Sequence, residues 1–124
     1  MQNTKIINFR DLKVWQSGHQ VVIAIYKVTM LFPREELYGL TSQIRRAVVS
    51  ITSNIAEGFS RNGPRDKAHF YAIALGSVTE LQNQLLIAKD LSYFEESDYQ
   101  RISKDLIEVH KMINGLIKSV MARP

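Results

Sequence analysis

A chain of 124 residues, 45% hydrophobic and 23% charged, is long enough for one domain with one core and too short for two, and its composition excludes a disordered chain. The absence of cysteine excludes disulfides, thiolate metal sites and thiol nucleophiles together. The formal charge of +4, with a pI near 9.5, lies entirely in the first half: residues 1–62 hold eight Lys/Arg against four Asp/Glu, and residues 63–124 hold eight of each. Such an imbalance is compatible with a polyanionic partner without requiring one.

Four amphipathic segments follow one another, and nothing reads as a strand. The opening "MQNTKIINFRD" lacks an apolar stretch of signal-peptide length. The first segment, about residues 11–31, spaces Leu12, Trp15, His19, Val22 and Tyr26 alternately by three and four. It includes the longest apolar run, "VVIAIYKVTMLF", which Lys27 breaks, so a cytoplasmic protein without a membrane span is expected. Phe32-Pro33 should end this helix, because the residue before proline is pushed out of helical geometry. "REELYG" reads as a short turn.

Thr41 or Ser42 can cap the second helix, about residues 41–61, whose Ile44, Val48, Ile51 and Ile55 form an inward stripe. "RNGP" ends it. The third, about 65–91, opens beside Pro64, a favoured first-turn residue, and turns Phe70, Ala74, Ser77, Leu81, Leu85 and Ala88 to one side. Tyr71, Leu75, Val78 and Leu86 widen its apolar arc, as in a helix with two neighbours. The fourth, about 98–121, has Ser97 three residues before Gln100, a capping-box pattern, and then Tyr99, Ile102, Leu106, Val109, Ile113, Leu116 and Val120. A repeat near 3.5 residues throughout predicts an all-α fold: an antiparallel, left-handed, up-down-up-down four-helix bundle.

Catalytic patterns are missing. His19 falls within the first apolar stripe and reads as a packing residue, while His69 and His110 stand alone in sequence. The nearest approach to a di-iron motif is one Asp66-x-x-His69, too little for a metal site, so no metal or cofactor is expected. There is no nucleophile elbow or phosphate-cradling glycine loop. Gly18, Gly76 and Gly115 lie inside helices at a cost of about 1 kcal/mol each relative to alanine, which close helix approach would explain. Trp15, Tyr26, Phe70 and Tyr99 sit at core spacing and read as packing, rather than as a base-stacking platform.

The outer face of the second helix is unusual. It carries Arg46, Ser50, Ser53, Glu57 and Ser60, and only Glu57 with Arg61 forms an i,i+4 pair. Arg45 and Arg46 have no acidic neighbour at helical spacing. Small side chains let another backbone come close, and the two arginines then find a carboxylate across an interface or a phosphate on a ligand.

Four stretches, "FRDLKVWQ", "FPREELYGLTSQIRRA", "SITSNIAEG" and "FYAIALGSVTELQNQL", resemble the four-helix-bundle family of proteins encoded by intervening sequences in 23S ribosomal RNA genes. The resemblance implies a ring of five subunits, no enzymatic activity and a role in nucleic-acid binding. A related branch resembles the accessory proteins of diversity-generating retroelements, which bind a reverse transcriptase and RNA. This chain departs from many relatives at Leu75, where they carry a basic residue, and at Thr52, where they carry proline.

These readings assign phosphate contacts to Arg10, Lys13, Lys27, Arg34, Arg45, Arg46 and Arg61, and an oligomer interface to Arg46, Ser50, Ser53, Glu57 and Leu75. They describe a non-enzymatic homo-oligomer that binds RNA or DNA by shape and charge. The alternative is a protein-interaction module or scaffold, such as an accessory subunit of a polymerase or reverse transcriptase.

Overall fold

The computed structural model describes residues 5–122; residues 1–4, the head of the stretch read above for a targeting segment, lie outside them. Within that range run α1 (Lys13–Thr29), α2 (Leu40–Ser60), α3 (Pro64–Asp90) and α4 (Glu96–Met121), with 3-10 turns at Phe9–Asp11 and Arg34–Glu36 and no strand. No helix among the described residues is long and apolar enough to cross a membrane.

Local hydrogen bonding explains where the helices depart from expectation. α1 starts at Lys13, after a turn that closes on itself. There Asn8 Oδ1 accepts from the Arg10 N–H at 2.9 Å, and the Asp11 carboxylate accepts from the N–H groups of Ile7 and Asn8 at 2.8 and 3.0 Å. The Asn8 N–H above all, then that of Ile7, holds the Asp11 carboxyl below its ordinary 3.8. α2 starts at Leu40, so neither Thr41 nor Ser42 caps it. Glu36 serves instead, accepting from the Leu40 N–H at 3.1 Å. Ser97 lies inside α4 and makes no cap, while the Gln100 amide donates to Glu96 at 2.7 Å. α3 begins at Pro64 and ends through Ser92, whose φ of 61° lets the Ser92 and Tyr93 N–H groups reach the last-turn carbonyls.

Each helix has two neighbours: α1 and α3 both lie beside α2 and α4, and α1 with α3 and α2 with α4 are the diagonal pairs. Paired contacts fix the directions. Gly18 faces Thr52 while Thr29 meets Arg45, and Ser50 meets Ser77 while Gly58 meets Tyr71. Likewise Val28 shares a hollow with Asp98, and Ser17 shares one with Glu108. Neighbouring helices therefore run in opposite directions, which is the up-down-up-down order.

Ile44, Val48, Ile51 and Ile55 of α2 meet Leu81 and Leu85 of α3 and Ile102, Leu106, Val109 and Ile113 of α4 in the core, none more than 1% exposed. Burying each such side chain contributes about 1.5–3 kcal/mol. α1 corrects the predicted stripe. Its buried row is Val14, Gly18, Val21, Ile25 and Val28, whereas Trp15 and Val22 are half-buried and His19 and Tyr26 are exposed. Two rows of equal spacing lie one position apart, and Gly18 selects between them: a Cβ there would stand 3.1 Å from Thr52 Cγ2. The bare backbone lets α2 come close, so the glycine row faces inward. His19 stacks on Trp15 at the surface, 4.8 Å between ring centres.

α3 shows a similar shift, since Tyr71 is buried and Phe70 only half-buried. Its wide arc is filled by α2 and α4, which take Tyr71 and Val78 into the core and leave Ile73, Leu86 and Ile87 exposed. The tightest glycine is Gly58, where a Cβ would stand 2.6 Å from Tyr71 Cε1. Gly76 and Gly115 have nothing within 4 Å, so close approach within the chain does not account for them.

Candidate interaction site

The seven cations picked out by sequence separate into two groups. Arg10 and Lys13 stand at the start of α1 and Arg61 just past the end of α2, which the antiparallel packing makes one end of the bundle. Arg45 and Arg46 lie about 23 Å away along α2, at 1.5 Å per residue. Arg34 shares a hollow with Arg45 beside the turn that leads into α2. Lys27 is exposed in the last turn of α1.

Three of the seven are engaged within the chain. The Arg61 guanidinium pairs with Glu57 at 2.7 Å and lies 4.5 Å over the Phe70 ring. Arg10 Nε donates to Asn8 at 3.4 Å. Arg45, expected to look outside for its partner, donates through Nε to the Thr29 hydroxyl at 2.9 Å and lies 4.7 Å over the Tyr26 ring. A helix-only view of Arg45 misses these partners because they belong to α1. Lys13, Lys27, Arg34 and Arg46 are exposed and make no ion pair among the described residues.

Around Arg46 the surface is hollowed. A groove of about 600 Å³ is lined by Tyr26, Leu37, Tyr38, Thr41, Ser42, Arg45, Arg46, Val49, Ser50 and Ser53. A second hollow of about 420 Å³, also bordered by Tyr38, Ser42, Arg46 and Ser50, reaches across to Glu80 of α3. Tyr38 belongs to both and stands 95% exposed. Leu37 and Val49 are exposed beside it, and Met30 extends the apolar surface into the hollow that holds Arg34.

The groove is built from the small residues and arginines already singled out, together with a turn whose aromatic residue sequence reading passed over. Glu36 sets the position of that turn. One of its oxygens caps α2 and the other accepts from the Tyr93 hydroxyl at 2.9 Å. That hydrogen bond, donated by the Tyr93 hydroxyl to Glu36, is also the chief reason that Tyr93 titrates above its ordinary 10.0. Thr41 Oγ1, lining the groove, is buried with no hydrogen-bond partner. Ser50 is not free: its hydroxyl shares a hydrogen bond with that of Ser77 at 2.8 Å and accepts from Asn54 at 3.1 Å. Of the remaining interface candidates, Ser53 lies in the groove, Glu57 is tied to Arg61, and Leu75 packs half-buried against the core.

This arrangement suits binding. Apolar and aromatic surface supplies contact area, and Arg46 supplies a charge open to a carboxylate or phosphate. Among the described residues no group of three or more His, Asp or Glu could hold a metal. The imidazole of His110 contacts Asn114 and that of His69 lies against Phe70; with His19 on Trp15, no histidine pairs with a carboxylate among the described residues.

The model of the 23S rRNA-intervening sequence protein family matches residues 10–115. A solved structure is similar, that of a protein with unknown function from the S23 ribosomal protein family from Bacteroides thetaiotaomicron VPI-5482. The match covers 85% of this chain and 98% of that one, with a TM-score of 0.76 and 24% identity, which shows a common fold. No curated protein matches the sequence significantly.

Proposed function

The chain belongs to the 23S rRNA-intervening sequence protein family, and on that footing we propose that it is a non-enzymatic cytoplasmic bundle that assembles with copies of itself through the α2 groove. The observation that carries this reading is the concentration of exposed apolar surface, Tyr38 with Leu37 and Val49, around an unpaired Arg46. A contiguous apolar patch rimmed by polar groups marks an interaction site, and aromatic residues with arginine are the usual anchors of interfaces. Light scattering during gel filtration tests it. A mass several times 14.2 kDa is expected, with five subunits as the number implied by the family resemblance. A monomer at micromolar concentration overturns the reading.

A second activity, nucleic-acid binding, is favoured by Lys13, Lys27, Arg34 and Arg46, cations that are exposed and make no ion pair among the described residues. Repeated around an assembly, they would hold phosphates with little preference for sequence, and avidity would raise affinity above that of one subunit. Each phosphate neutralised adds about 0.9 to the salt slope on duplex and about 0.7 on a single strand. Affinity for a labelled RNA should therefore fall at least about tenfold between 50 and 200 mM salt. Salt-insensitive binding, or none, removes this second activity and leaves self-association standing.

A further inference from the structure

We infer that the α2 groove of one copy receives the α1–α4 seam of the next, head to tail, with Tyr38 as the projecting side chain. This rests on the self-association reading and names the two faces that meet. A two-fold contact with its axis at Arg46 would bring that side chain against its own copy, and like charges at a contact disfavour it.

The occupant therefore needs carboxylates beside a recess. Glu80 borders the α2 surface already, next to Arg46, so it belongs to the same face. The seam between α1 and α4 offers what is missing: a hollow of about 370 Å³ lined by Ser17, Gln20, Asp105, Glu108 and Met112, two carboxylates and no cation. Asp105 makes no ion pair among the described residues, and Glu108 is held only loosely, 3.8 Å from Lys111. α2 and α4 stand diagonally across the bundle, so groove and hollow lie on different sides of it and one copy can use both at once.

In this contact Tyr38 enters the hollow, its ring against the Met112 thioether and its hydroxyl near the Ser17 and Gln20 side chains, while Arg46 reaches Asp105 and Glu108. Every copy then offers one projection and one recess, an arrangement that propagates until it closes into a ring.

The chain has no cysteine, so paired cysteines report the contact cleanly. Ser42→Cys and Gln20→Cys in one chain should give a ladder of disulfide-linked multimers on a denaturing gel after mild oxidation, while either alone stays monomeric on that gel. A disulfide dimer from Ser42→Cys alone would mean that like faces meet, and would overturn the proposal. So would an unlinked double variant that light scattering still shows to be multimeric, though self-association would survive that result. A monomer by light scattering removes both. Charge reversal gives a second readout: Arg46→Glu, or Asp105→Lys with Glu108→Lys, should each raise the dissociation constant at least tenfold, and all three together should restore it to within about threefold. An Arg46→Glu variant that keeps its mass but loses affinity for RNA assigns the groove to nucleic acid and overturns the contact.

Discussion

The outward surfaces of α2 and α4 are built on different plans. α4 carries its charges in local pairs: Arg101 with Asp98 at 2.8 Å, Lys111 with Glu108 at 3.8 Å, and the Gln100 amide on Glu96. Those are the i,i+3 and i,i+4 interactions of a helix that meets water. α2 between Ser42 and Ser53 makes no ion pair among the described residues, and it presents serines, an exposed valine and Arg46. A solvated face satisfies itself along its own helix, whereas a contact face leaves groups unsatisfied until a partner arrives. On α4, Lys104, Asp105 and Lys118 make no ion pair among the described residues, and Asp105 borders a hollow with Glu108.

The comparison breaks most sharply at Val49. Val49→Glu places a charge in the apolar part of the groove, and mass by light scattering should fall to that of one chain at micromolar concentration with helicity unchanged. Lys104→Glu on the exposed surface of α4 should leave the mass as it was. The next effect concerns what each helix does with a glycine. Gly58→Ala sets a methyl against Tyr71 and should lose about 1–3 kcal/mol in urea unfolding despite the gain in helix propensity. Gly115→Ala meets open space and should gain about 0.5–1 kcal/mol.

Smaller still, Arg101→Ala removes an exposed ion pair and should cost no more than about 0.5 kcal/mol by the same measurement. The smallest effect is a pH dependence. The folded state lowers the pKa of Asp11, so the stability linked to it is present above the ordinary 3.8 and is lost as pH falls through the lower folded value. Asp11→Asn should flatten the melting temperature between pH 5 and pH 3.

Much of the fold is legible in periodicity, because Ile44, Val48, Ile51 and Ile55, and the row from Ile102 to Ile113, are each the only apolar row their helix offers. α1 offers two rows of equal spacing. The choice turned on Gly18 meeting Thr52, a contact between helices that spacing along one helix does not encode. Helix starts differ for a related reason: Glu36 caps α2 from outside the helix, where a search for Ser or Thr at the boundary does not look, and α1 begins after the turn at Phe9–Asp11 with no side-chain cap of its own.

At the candidate site, the absence of an acidic i,i+4 partner is legible for Arg46, and Arg46, Ser50 and Ser53 line one groove. Tyr38 was lost in a stretch read as a turn, although an aromatic residue beside a leucine in a loop without an apolar period was the available signal. Arg45 needed the third dimension, since Tyr26 and Thr29 are distant from it in sequence.

Self-association through the α2 groove is tested most directly by sedimentation of the native chain and Val49→Glu at the same micromolar concentration. The prediction is a multimer for the native chain and a folded species near 14.2 kDa for the variant. A native chain that already sediments as a monomer, or a variant that keeps the full mass, would contradict it.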